Sequence, residues 1–116
     1  MVIESYSFGR MVIEGEEYRN DLMIRGEEIK SNWVRKQGHE LNPDDLTWVT
    51  SKKPDLLIIG TGSSGRMRVK EKTKEFLKKR DIEFWIGKSG EAVTYYNSKL
   101  KGKNNKEIAG AFHLTC

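Results

Sequence analysis

Gly60-Thr61-Gly62-Ser63-Ser64-Gly65 follows an apolar run, Asp55 to Gly60, and satisfies the spacing G-x-G-x-x-G. Glycines so spaced let the chain turn sharply and bring backbone N–H groups against a phosphate. Arg66 and Arg68 come next, and either guanidinium can complete an anion site. Dinucleotide binding asks for more. A helix should open at the third glycine and aim its N-terminus at the pyrophosphate, but Arg66-Met67-Arg68-Val69 reads as an extended segment. An acid should close the second strand, where this chain has Gly87-Lys88. Its 116 residues leave no room for the repeated βαβ units of a nicotinamide enzyme. Three readings of the loop remain: a tight structural turn at the carboxyl end of a strand, an anion or small-ligand site, and a nucleotide fold.

The other reactive residue types are sparse. His39, His113 and Cys116 are the only His and Cys. Zinc sites draw three or four closely spaced ligands, so no metal or cofactor is expected. His113 and Cys116 stand three apart, which on a strand puts them on opposite faces. His113 is therefore expected to be a satisfied polar residue, and no catalytic residue is assigned. Asp44-Asp45 and Glu27-Glu28 are adjacent pairs whose carboxylates diverge, reading as a helix start and a solvated loop. Arg66, Arg68 and Lys70 alternate with Met67 and Val69, lining three cations along one face. Nucleic-acid binding would add stacking platforms. Trp33, Trp48, Phe76, Phe84 and Trp85 instead fall in apolar patterns of a core, so nucleic acid is not the expected partner.

The elements that hold these residues change period midway. Residues 2–8, 10–14 and 21–25 are short β-branched and aromatic runs punctuated by Gly9, Gly15 and Gly26, the pattern of antiparallel hairpins. Ile29 to Lys36 alternates as a fourth strand, with Trp33 and Arg35 on one face. Asn42-Pro43-Asp44-Asp45 opens a short helical turn. Asp55 to Gly60 is a strand buried on both faces. Val69, Thr73, Phe76 and Leu77 form one helical stripe through Arg80. Ile82 to Ile86 is a strand. Ser89 caps a helix with inner residues Ala92, Val93, Tyr96 and Leu100 and with Gly102 past its end. Glu107 to Leu114 closes the chain as a strand. The fold class is α/β with an antiparallel contribution at the front.

Composition narrows the setting. The longest purely apolar run, Leu56 to Ile59, is too short to span a membrane. One cysteine allows no internal disulfide, and the opening Met-Val-Ile-Glu carries no secretory pattern, so a cytoplasmic domain is expected. The net charge of +4 conceals an asymmetry. Residues 1–50 carry six Lys/Arg against ten Asp/Glu, and residues 51–116 carry fifteen against seven. Such a bipolar surface can steer acidic partners to one face.

Taken together, several segments resemble the Mth938-like domain proteins. They are Tyr6-Ser7-Phe8-Gly9, Gly15 with Tyr18 and Asp21, Trp33-Val34-Arg35, Gly38-His39-Glu40-Leu41, and Leu57-Ile58-Ile59-Gly60-Thr61-Gly62. Gly65 with Met67 and Val69, Ala92, Tyr96-Asn97 and His113-Leu114-Thr115-Cys116 complete the series. The resemblance implies one domain over 1–116 with a three-layer fold: a central mixed sheet, flanking helices and an added N-terminal antiparallel β-structure. It supplies no reaction. Eukaryotic relatives include a mitochondrial complex I assembly factor and a protein associated with fat-cell differentiation; without a targeting presequence the mitochondrial role is not carried over. If the shared residues converge, Asp21, Trp33, Arg35, Gly60, Thr61 and Gly62 line one pocket. The resulting expectation is a non-enzymatic binding or assembly-factor domain with a protein partner. The alternative is a small-ligand protein or enzyme that holds an anionic group at Gly60–Gly65 with Arg66 or Arg68.

Overall fold

A computed structural model describes residues 1–102 and 106–116. Three short strands, β1 (Ile3–Ser7), β2 (Arg10–Ile13) and β3 (Glu16–Tyr18), form an antiparallel meander in that order. Gly9 and Gly15 turn it with positive φ, as the glycine punctuation predicts. Sequence pattern alone misses β3, because Glu-Glu-Tyr has one partly buried residue and no alternation to detect.

A second sheet carries the core. It has the order β5 (Glu28–Lys30), β4 (Leu22–Arg25), β10 (Ile108–His113), β7 (Leu56–Thr61), β9 (Glu83–Gly87). β10 is antiparallel to β4 and parallel to β7, which is parallel to β9. The last strand thus lies at the centre, and a parallel neighbour on that side requires helical crossovers. These are α2 (Glu71–Lys79) and α3 (Ser89–Lys101). Alternation along the strands sends Leu57, Ile59, Ala109, Ala111 and Met23 to one face, where Val49, Leu77 and Trp33 meet them. Ile58, Ile108, Phe112, Leu22 and Ile24 face the other way, toward Ala92, Val93 and Tyr96 of α3 and toward Ile3, Met11 and Ile13 of the meander. The outcome is the expected mixed sheet between helical layers, with the antiparallel addition packed beside α3.

Several local expectations shift. The strand expected over Ile29–Lys36 stops at Lys30, because Asn32 turns into the left-handed region (φ 55°). Trp33 then anchors the chain through its N–H to the Asp21 carbonyl, while Val34 faces solvent. The turn at Pro43–Leu46 starts as its sequence implies, with the Asp45 carboxylate accepting the Asn42 N–H, and continues into α1 (Thr47–Thr50). The extended reading of Arg66–Val69 holds: β8 (Arg68–Val69) pairs in parallel with β6 (Glu40–Leu41), so α2 starts only at Glu71. Trp48, Phe76, Phe84 and Trp85 pack against the core but stay half-buried. Among the described residues no helix is long and apolar enough to cross a membrane.

Candidate functional site

The register of β10 against β4 pairs Phe112 with Leu22, so the next residues, His113 and Asp21, meet at the carboxyl end of the central strand. Asp21 Oδ2 accepts from Arg35 Nη1 at 2.7 Å and from His113 Nδ1 at 2.8 Å. Asp21 Oδ1 accepts the Leu114 N–H at 2.7 Å. The Arg35 guanidinium also donates through Nε and Nη2 to the Gly38 carbonyl, at 3.1 and 2.8 Å. It lies 4.9 Å from the centroid of the Trp33 ring. Trp33 Nε1 donates to the Asp45 carbonyl. The cluster is nearly dry, with side-chain exposures of 14% for Asp21, 5% for Arg35 and 7% for His113.

Burial pushes the Asp21 carboxyl upward, but hydrogen bonds from His113, Leu114 and Arg35 outweigh it and hold the group below its ordinary range. Since the carboxylate accepts from Nδ1, His113 carries a proton on that nitrogen. The Arg35 Nη2 contact with Nδ1, at 3.1 Å, is then two donors side by side, converging on one oxygen. Nε2 is buried and, among the described residues, has no hydrogen-bond partner. The expected satisfaction of His113 is therefore half realised. Beside the cluster, Tyr6 donates its hydroxyl to the Leu114 carbonyl, and burial raises its phenol pKa.

The glycine loop sits on the opposite side of the His113 ring. Gly62 has φ 106°, and a Cβ there would lie 2.8 Å from His113 Cδ2 and 2.3 Å from the Cys116 carbonyl carbon. Only glycine fits both the conformation and the space. The loop's N–H groups are largely occupied within the fold. Gly62 donates to Ser89 Oγ, Ser63 to Thr115 O, Gly65 to Gly62 O, Arg66 to Cys116 O and Met67 to Thr61 O. Ser89 is the first residue of α3 rather than its cap, a position held by Lys88. Its buried hydroxyl accepts from Gly62 and donates to the His113 carbonyl, stitching loop to strand.

Among the residues expected to converge, Asp21, Trp33 and Arg35 do so directly, and Gly62 joins them through His113. Gly60 and Thr61 are buried in β7, with Gly60 against Ser89 and the Thr61 hydroxyl donating to the Gly87 carbonyl. Ser63, Ser64, Arg66 and Arg68 are exposed, and no carboxylate among the described residues pairs with either arginine. An open cleft of about 410 Å³ covers the other flank, lined by Arg19, Asn20, Asp21, Trp33, Val34 and Thr115 among others. Val34 on its wall is 85% exposed. Phe8, at the β1–β2 turn, is 63% exposed. Its neighbour Gly9 donates to the Leu114 carbonyl and borders Thr115. Pattern reading overlooked Phe8, Val34, Tyr6 and Ser89 as site residues. The available signal was an apolar side chain at a hairpin turn and another close after a left-handed Asn.

These features define a three-layer α/β protein with a polar knot buried at the carboxyl ends of its central strands, and with Val34 exposed on the cleft beside it. Among the described residues no three His, Cys, Asp or Glu side chains cluster as metal ligands. The chain belongs to the family described as "Protein of unknown function (DUF498/DUF598)", whose model matches residues 3–113. Its fold is similar to that of the conserved hypothetical protein PH1505 from Pyrococcus horikoshii OT3, with a TM-score of 0.81 and 25% identity over 100% of both chains. It is likewise similar to the protein titled MT938, with a TM-score of 0.79 and 23% identity over 99% of this chain and 98% of that one. A Bordetella pertussis protein described as a Mth938-like domain matches at a TM-score of 0.77 and 12% identity, over 97% of this chain and 85% of that one. The Mth938-like resemblance read from the sequence is thus shown.

Proposed function

We propose that this protein is a non-enzymatic, cytoplasmic docking domain of the assembly-factor kind, whose partner seats on the cleft walled by Val34 and Thr115 and reaches Phe8 at the neighbouring turn. The observation that carries this reading is the contrast between the two sides of Asp21. Inward, both carboxylate oxygens and the Arg35 fork are taken up by internal hydrogen bonds. Among the described residues no nucleophile lies within hydrogen-bond reach of His113 Nε2, so the cluster they form lacks the nucleophile–base pair that acyl transfer needs. It braces three segments that present the cleft. Outward, two large apolar side chains stand in solvent beside a polar rim, an arrangement suited to a protein interface. The test is affinity capture with the wild type and with a Phe8→Ser/Val34→Ser variant of matched thermal stability. Partners held by the wild type and lost by the variant support the reading, and an identical captured set overturns it.

A second reading keeps the anionic ligand at Gly60–Gly65. It is favoured by Arg66 and Arg68, exposed and without carboxylate partners beside Ser63 and Ser64. The occupied N–H groups of the loop limit it to side-chain contacts and the Ser64 N–H. Phosphate, nucleotides and carboxylates tested by thermal shift distinguish it: a ligand at 100 times its Kd adds about 2.7 kcal/mol. That gain should vanish in Arg66→Gln/Arg68→Gln.

A further inference from the structure

Leu114, Thr115 and Cys116 follow the central strand and run between the glycine loop and the β1–β2 turn, and they are held unequally. Leu114 is an anchor. It is fully buried, its N–H donates to Asp21 Oδ1, and its carbonyl accepts from the Gly9 N–H at 2.8 Å and from the Tyr6 hydroxyl at 2.9 Å. Thr115 and Cys116 are only half-buried, and among the described residues neither side chain makes a hydrogen bond. The hydrogen bonds that fasten them come from the glycine loop. Ser63 donates its N–H to the Thr115 carbonyl at 2.6 Å, and Arg66 donates its N–H to the Cys116 carbonyl at 2.9 Å.

The place these two carbonyls occupy is the one a glycine loop offers an anion. Both donors reach carbonyls of consecutive residues, so the Ser63 and Arg66 N–H groups converge on one small region, as they would on the oxygens of a phosphate. A Cβ on Gly62 would lie 2.3 Å from the Cys116 carbonyl carbon and 2.5 Å from its oxygen, so the missing side chain is what admits that carbonyl. Three exposed cations belong to the loop or border it. Arg66 and Arg68 follow it directly, and the Lys88 stem lies along Gly65, 3.3 Å from where its Cβ would be. Among the described residues no carboxylate pairs with any of the three. Two neutral carbonyls leave that charge unanswered.

We infer that Thr115 and Cys116 are a resident plug in a phosphate site of the glycine loop, and that a phosphate-bearing anion displaces them. The inference rests on the reading that the loop holds an anion, and adds what controls access to it. With the plug in place, the two loop N–H groups are spent on neutral carbonyls. With the plug swung out about Leu114, a phosphoryl group takes both as charge-assisted hydrogen bonds, roughly twice as strong as those given up. Arg66, Arg68 and Lys88 then act on a charge rather than on a dipole. The exchange leaves the buried anchor at Leu114 and the Asp21 cluster intact. Thr115 also lines the cleft beside Val34 and borders Gly9, so the same displacement reshapes the wall of the docking surface.

The experiment is a titration of the whole, isotope-labelled chain with inorganic pyrophosphate, followed residue by residue by NMR. It compares the wild type with Thr115→Gly/Cys116→Gly and with Arg66→Gln/Arg68→Gln. All four replaced side chains are exposed or half-buried, so the fold is retained. In the wild type the amides of Ser63, Arg66, Thr115 and Cys116 should shift together, and the last two should gain motion on the picosecond–nanosecond scale. The apparent Kd is the intrinsic value divided by the open fraction, and glycine enlarges the freedom of the open segment. The glycine variant should therefore bind at least about threefold tighter than the wild type, and the glutamine variant at least about tenfold weaker. Loop amides that shift while Thr115 and Cys116 stay ordered, or a glycine variant with unchanged affinity, overturn the plug and leave the anion reading standing. No binding by any of the three at millimolar pyrophosphate overturns both.

Discussion

Replacing Asp21 by Asn removes the only negative charge that, among the described residues, touches a guanidinium 5% exposed, while nearly conserving shape. Arg35 keeps the Gly38 carbonyl and the Trp33 face but loses its counterion, and His113 loses the acceptor that fixes its Nδ1–H. Breaking a buried pair from one side costs about 3–5 kcal/mol, set against a whole-domain stability of about 5–15 kcal/mol. For a chain of this size that lowers Tm by roughly 10–25 °C. The wild type should also carry an acid signature. The Asp21 carboxyl lies below its ordinary range when folded, so its contribution is complete above the unfolded value of about 3.9. It is lost as pH falls through the lower, folded value. Urea unfolding at pH 7 and at pH 3 measures both effects. Asp21→Asn should be several kcal/mol weaker at pH 7 and should lose part of the acid slope. Adding Arg35→Met should cost less than the sum of the two single changes, since the orphaned charge goes with it. A loss at pH 7 below about 1 kcal/mol, or an unchanged acid slope, refutes the account of this cluster as an internal brace.

Gly62→Ala meets both a positive φ and backbone at 2.3 Å, so thermal melts should show a loss of about 3 kcal/mol or more. Gly90→Ala, with open space around its Cβ and a place in the first turn of α3, should be neutral or slightly stabilising, by up to about 0.5 kcal/mol. Ser89→Ala strands the Gly62 N–H and the His113 carbonyl in a buried site. It should lower unfolding free energy in urea by about 2–4 kcal/mol, whereas Ser98→Ala on the exposed side of α3 should stay within about 0.5 kcal/mol.

Much of the fold was legible because its strands and helices carry their period in local sequence. Leu57-Ile58-Ile59 can only be a strand buried on two faces, and Ala92, Val93 and Tyr96 mark a helix stripe. Where the period failed, a single backbone choice intervened: left-handed Asn32 ended a strand that the alternation of Ile29–Lys36 would have extended. Of the candidate site, residue types were legible and connections were not. The glycine loop advertised a phosphate, yet its N–H groups close onto Ser89, Thr115, Cys116 and the loop itself. Nothing local reveals that, since Ser89 lies 27 residues away from Gly62.

By itself the sequence determined a mixed α/β architecture, the family, and the absence of a dinucleotide fold within 116 residues. Hydrophobic periodicity and chain length are local or global sums that need no coordinates. The tertiary structure alone decided that His113 faces Asp21, 92 residues earlier, because only the antiparallel register of β10 on β4 sets them opposite each other. It also decided which strand ends the sheet and which apolar side chains stay in solvent. Edges and surfaces are properties of packing order, and packing order is set by pairings between segments that the sequence keeps far apart.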